Sequence, residues 1–342
     1  MAPGSAVRRY LAAVDDAVSA RAHIGPRGDA LLASAAAAVA DLGPLTWMPV
    51  GSAACGTGVA PYSDVDVLAR FSGRFAAPDP PLHEDPHVAY ELFVSRLEAS
   101  CTADGFAPPR RDFPTARFQS MTDEPSIELV PGCDGDFLWD DRSTAPTSAL
   151  ATLVFPGPER RWLGTDPALH TTVLDQIPGG IDYTSRELIR LLKLAKYRRS
   201  VPLRSYFVEL FAMRWIEGSF DLEASTIEEI VEAMRGNQRQ PYAHLGELSR
   251  DVGLAMAALA EQVEATARAG GRLETVDLAT PERVGQTIAF EDPDGERRWA
   301  SELAAVAAGL LEARQHEEAG DDAAALATWE ASLGYPPPAA SG

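Results

Sequence analysis

The chain has 342 residues and a formal net charge of −20, from 30 Lys and Arg against 50 Asp and Glu. That balance argues against a protein that coats a nucleic-acid backbone, which needs cations to neutralise phosphates, and it leaves room for a small anionic ligand only at a local basic patch. Without an apolar run long enough to span a membrane or form a secretion signal, and with three widely spaced cysteines (Cys55, Cys101, Cys133), neither an anchor, a disulfide framework nor a zinc knuckle is expected, and the location expected is cytoplasmic.

Two helical segments open the chain, at about 5–21 and 28–42, and both are expected to pack on the sheet that follows. An apolar strand from Leu45 to Val50 then runs into Gly51-Ser52, a glycine-rich connection holding Gly56-Thr57, and Ser63-Asp64-Val65-Asp66-Val67-Leu68. Strand alternation puts Asp64 and Asp66 on one face and Val65 and Val67 on the other. Two like charges side by side call for a cation, and hard carboxylate oxygens suit Mg²⁺, which takes waters and phosphates as its other ligands. Gly51 permits close backbone approach, and Ser52 offers an N–H and a hydroxyl to a phosphate oxygen.

Residues 73–86 are Pro-rich and read as a loop. His83-Glu84-Asp85-Pro86-His87 matches the zinc-protease pattern H-E-x-x-H, which needs a helix to align its histidines. Pro86 between them argues against that helix, so a helix is expected to start after Pro86 and run to Glu98. A hairpin follows, with strands at 116–121 and 126–131 around a turn at Thr122-Asp123-Glu124-Pro125. Its second strand buries Ile127 and Leu129 and turns Glu128 to the other face, making Glu128 the candidate third carboxylate. Residues 150–172 read as a loop, with no chemical role for His170.

Thr184-Ser185-Arg186-Glu187 is a capping box. In the helix it opens, Leu188, Leu191, Leu192 and Ala195 recur at helical spacing, with Arg186, Arg190, Lys193 and Lys196 opposite, which predicts one packed face and one cationic face. Lys193 and Lys196 are the only two lysines in the chain. Lysine is a compact point charge suited to a triphosphate. From Ile181 to Arg214 there are eight basic and three acidic side chains, a local cationic excess in an acidic protein. Tyr206 can stack on a base, since every base offers a flat face. The remainder reads as helical: a capping box at Ser225-Thr226-Ile227-Glu228, amphipathic runs at 247–269 and 299–314, and a last helix within Asp321 to Leu333 stopped at Gly334, before a loose tail.

Gly51-Ser52, Gly56-Thr57 and Ser63-Asp64-Val65-Asp66 resemble the G-S, G-T, S-D-x-D signature of the polymerase-beta-like nucleotidyltransferases. The spacing is closest to oligoadenylate synthases, cyclic GMP-AMP synthase and the bacterial cyclic-oligonucleotide synthases (CD-NTases). Ile127-Glu128-Leu129-Val130-Pro131 resembles their third-carboxylate strand, usually D-L-V-P, so Glu128 is a departure. The stretch 161–170, the S-Y-x-x-E segment at 205–209, Glu291-Asp292-Pro293 and 329–334 are similar to the bacterial members too.

The resemblance implies an α+β, two-lobed nucleotidyltransferase fold, with a mixed β-sheet catalytic lobe and N-terminal helices over 1–175 and a helical nucleotide-binding lobe over 176–342. It implies Asp64, Asp66 and Glu128 as catalytic carboxylates holding two Mg²⁺, replaceable by Mn²⁺. It also implies Gly51, Ser52, Lys193, Lys196, Ser205 and Tyr206 as contacts to an NTP bound between the lobes. The implied activity converts NTPs into a cyclic di- or oligonucleotide second messenger of anti-phage signalling. The implied partners are the NTPs and a regulatory protein or downstream effector, without duplex nucleic acid or a membrane. Two alternatives stay open: a nucleotide-binding scaffold that does not catalyse, motivated by Glu128, and nucleotidyl transfer to a small-molecule acceptor. A P-loop is disfavoured because Gly51-x4-Gly56-Thr57 lacks its Lys.

Overall fold

A computed structural model describes residues 5–19, 24–60, 62–72, 85–122, 124–134, 153–157, 161–165, 167–177, 179–201, 203–217, 245–269, 272–273, 288–289 and 293–334. The expectations for the Pro-rich stretch up to Glu84, Ser225 to Glu228, Glu291-Asp292 and the tail lie outside these residues. The chain divides into two compact units, one over Ala20–Thr171 and the other over Met1–Ser19 with Thr172–Gly342.

The first unit is built on a mixed sheet. Its strands are β1 (Leu45–Val50), β2 (Val65–Phe71), β3 (Arg110–Asp112), β4 (Thr115–Phe118), β5 (Ile127–Asp134), β6 (Leu153–Gly157) and β7 (Arg161–Thr165). The main path runs β1-β2-β5-β4-β3. Among the described strands, only β2 and β5 are parallel to each other. β4 pairs with Ile127 to Leu129 and β6 with Cys133 and Asp134, so these two strands share one side of β5 while β2 takes the other. The β6–β7 hairpin replaces the loop expected at 150–172: Pro156 and Gly164 blur its strand signal, and its pairing to β5 is long-range.

Inward residues of the strands (Val65, Val67, Phe71, Ile127, Leu129) form one core with α2 (Pro26–Ala38) and α4 (Pro86–Ser100). Helix α4 includes Pro86, one residue before the expected start, and runs to Ser100 rather than Glu98: proline fits the first helical position, and Asp85 accepts the His87 N–H at 2.9 Å.

The second unit is helical. It holds α1 (Ser5–Val18), the C-terminal part of α5 (Pro167–Gln176), α6 (Ser185–Arg198), α7 (Ser205–Glu217), α8 (Leu248–Ala269), α9 (Pro293–Glu318) and α10 (Asp322–Leu333), with a two-stranded ladder of β8 (Arg272–Leu273) and β9 (Ile288–Ala289). Helix α1, expected on the sheet, packs instead on α6, α8 and α10. Its stripe of Val7, Leu11, Val14 and Val18 is buried there, and Arg190 of α6 grips Asp15 through two hydrogen bonds of 2.6 and 2.5 Å. Buried Glu317 ties three helices together, accepting from Ser249 at 2.9 Å, Arg314 at 2.9 Å and Trp329 at 3.2 Å. Among the described residues no helix is long and apolar enough to cross a membrane.

Candidate active site

The turn from β1 into the short helix α3 (Gly51–Cys55) sets the site. Gly51 sits at φ +63°, where side chains are strained, and a Cβ there would lie 2.4 Å from Asp66 Oδ2. Only glycine lets this backbone close on that carboxylate. The loop after α3 is held by the Ser52 carbonyl, which accepts the N–H groups of Thr57 at 2.9 Å and Gly58 at 3.1 Å, and by Ser63 Oγ, which accepts the Val59 N–H at 2.9 Å. The chain thereby enters β2 with Asp64 one residue before the strand and Asp66 one residue inside it.

Register does the rest. Asp66 stands opposite Glu128 in the parallel β2–β5 pair, and Glu128 opposite Arg117 in the antiparallel β5–β4 pair. Ile127 and Leu129 are buried on the other face, as alternation predicts. Asp66, Glu128 and Arg117 therefore form a row across three strands. Arg117 Nη2 lies 2.9 Å from Asp64 Oδ2, and Arg117 Nε lies 3.7 Å from Glu128 Oε1.

Crowding shows in the acidities. Burial, then the charges of Asp66 and Asp64, push Glu128 up to about 7 against the opposing pull of Arg117. Burial raises Asp64 as well, again against Arg117. The residues fit divalent cations: three hard oxygen donors crowd together, a guanidinium stands in as the cation for Asp64 and Glu128, and glycine lets the backbone close on Asp66.

In the helical unit, Thr184 and Glu187 form the expected reciprocal cap on α6. The expected cationic face is not solvated, however. Arg190, Lys193 and Lys196 are all buried along with Leu188 to Leu192. Lys193, expected on the triphosphate, is fully buried with its Nζ 2.5 Å from Glu209 Oε2 on α7. A charge there needs a fixed partner, so Lys193 holds α6 to α7. Lys196 differs: its Nζ donates to a neutral hydroxyl, Ser205 Oγ, at 3.1 Å, and lies 3.9 Å from the Tyr197 ring centroid. Burial, then the neighbouring Lys193 charge, lower it to about 8. Tyr197 hydrogen-bonds Ser205 too, and Tyr206, next to it, is half-buried. Sequence reasoning missed Arg117. The available signal was a lone arginine between Ala116 and Phe118, both inward-facing and buried.

No protein-family model and no curated protein matches the chain. Solved structures do. The CD-NTase CdnG of Bradyrhizobium diazoefficiens, in complex with GTP, is similar at 13% identity with a TM-score of 0.58, over 94% of this chain and 97% of that one. CdnC of E. coli MS115-1, in complex with HORMA-deltaN, is similar at 13% identity and TM-score 0.54, over 97% of each chain. DncV of Vibrio cholerae, a cyclic AMP-GMP synthase solved with the linear intermediate 5′ pppA(3′,5′)pG, is similar at 14% identity and TM-score 0.52, over 86% of this chain and 70% of that one. Sheet unit and helical unit together are thus an α+β nucleotidyltransferase fold. Its particular form is that of the CD-NTases.

Proposed function

We propose that the chain is a divalent-metal-dependent nucleotidyltransferase that converts NTPs into a cyclic di- or oligonucleotide second messenger, acting in the cytoplasm in anti-phage signalling. The observation that carries this reading is the convergence of Asp64, Asp66 and Glu128 beside the Gly51-Ser52 turn, on this fold. The GTP held by CdnG and the linear intermediate held by DncV support NTPs as substrates, and the HORMA-deltaN complex of CdnC supports a regulatory protein partner.

In this reading Asp64, Asp66 and Glu128 hold Mg²⁺ or Mn²⁺. Such ions, when bound, stabilise the attacking and leaving oxygens of an in-line displacement at phosphorus. Gly51 keeps the backbone close to Asp66, and Ser52 offers its N–H and hydroxyl to phosphate oxygens. Glu128 favours loss of the proton from the attacking ribose hydroxyl. In the helical unit, Lys196 and Ser205 bind phosphate and Tyr206 stacks on a base.

Incubation of the purified chain with all four NTPs and Mg²⁺, followed by chromatography and mass spectrometry, tests the assignment. Cyclic or linear oligonucleotide products with pyrophosphate release are expected. Asp66→Ala should abolish them while leaving the fold intact, because removing one member of a repulsive set takes nothing from the core. Turnover by this variant within about tenfold of wild type, a barrier change near 1.4 kcal/mol, would overturn the metal assignment. Consumption of NTP only with an added hydroxyl compound would redirect it to a small-molecule acceptor.

A further inference from the structure

The carboxylate cluster contains a cation of its own. Arg117 comes from β4, a strand the signature residues do not include, and register delivers it to the row of Asp66 and Glu128. Its guanidinium takes Asp64 Oδ2 at 2.9 Å and approaches Glu128 Oε1 at 3.7 Å, so it touches two of the three proposed metal ligands. Its Nε is buried without a hydrogen-bond acceptor, which marks the fit as incomplete. Asp112 adds a further negative charge near Asp64 and Glu128.

An oxygen in contact with a guanidinium cannot also be a close ligand of a divalent ion without bringing two cations together. Magnesium binds carboxylate oxygen at about 2.0–2.1 Å, well inside the reach of that hydrogen bond. The Arg117 side chain is 35% exposed, so its head can leave for solvent while β4 anchors its stem. We propose that Arg117 is the resident counter-ion of the site: a positioning residue that holds the carboxylates together in the metal-free protein, competes with divalent cations for Asp64, and is displaced when they bind. This rests on the metal-site reading above. The chain then stays folded without metal, and its cation affinity is set below that of a bare carboxylate triad.

Calorimetric titration of MnCl2 into the metal-free full chain and into Arg117→Gln tests it, with thermal unfolding of both in EDTA. Arg117→Gln should bind Mn²⁺ about fivefold tighter, the size of one partly exposed ion pair. It should also unfold at a lower temperature in EDTA and gain more from Mn²⁺ than wild type does. Equal or weaker Mn²⁺ binding by the variant, with wild type binding normally, overturns the counter-ion role alone. If neither protein binds Mn²⁺ at millimolar concentration, the metal site falls and the counter-ion role falls with it. Should Arg117→Gln fail to fold, the wild-type Arg117 Nε–H resonance, assigned by its loss in Arg117→Lys, gives the answer: it should shift on Mg²⁺ addition, and an unmoved signal refutes displacement.

Discussion

Glu128 is one methylene longer than the aspartate usual in the strand it resembles, yet register still sets it opposite Asp66. Its raised pKa has a consequence for stability. The folded protein holds this proton more tightly than the unfolded chain, whose Glu titrates near 4.5. Stability of the metal-free protein is therefore expected to fall as pH rises from about 4.5 to about 7 and to level off above that. Asp64, also raised, acts with the same sign. Urea unfolding in EDTA between pH 5 and 8 checks this. Glu128→Gln should flatten the fall, and Mg²⁺ should reverse it in wild type; an equal slope in the variant would remove Glu128 as its source. Both this carboxylate and the Asp64–Asp66 pair were legible from period-two alternation, a property of adjacent residues. Arg117 was not, because its partners are fixed by cross-strand register, which a single strand does not encode.

Among the elements, α6 gave up its capping box to sequence reading and withheld its surroundings. The cap is local chemistry, whereas burial depends on packing against the next helix, α7, and against α1, which comes from the far end of the chain. The basic residues of α6 are consequently tied inside the unit, Arg190 to Asp15 and Lys193 to Glu209. The two lysines should then behave differently when changed. Lys193→Ala leaves Glu209 charged and buried without this partner, and should cost about 3–5 kcal/mol of stability. Replacing both partners with Lys193→Met and Glu209→Leu should cost less than either single change. Lys196→Ala should leave the melting temperature closer to wild type and raise the NTP KM, and the wild-type KM should climb as pH passes about 8, where Lys196 loses its charge. Melting curves with NTP-dependent kinetics separate the two. A normal KM for Lys196→Ala removes α6 from the binding site.

At the scale of the whole molecule, the acidic balance bears on what activates the protein. A chain at −20 whose local cations are partly paired offers little to a phosphate backbone. Product formation should therefore not respond to added duplex DNA or RNA, and a large, salt-sensitive stimulation would show that the charge argument misleads. The α+β class was legible through the resemblance carried by the motifs at 51–68. The place of α1 was not: its apolar stripe fits a sheet or a helix bundle equally well.

That place matters when the protein is synthesised. Residues 20–171 form one unit, and the other is assembled from both flanking segments. The sheet can thus close while the ribosome is still translating the helices. Helix α1 emerges ahead of the sheet but must wait for α6, α8 and α10, tens of seconds later at roughly 5–20 residues per second. During that interval Val7, Leu11, Val14 and Val18 have no native neighbours to cover them, which makes this stripe a place for a nascent-chain chaperone to hold.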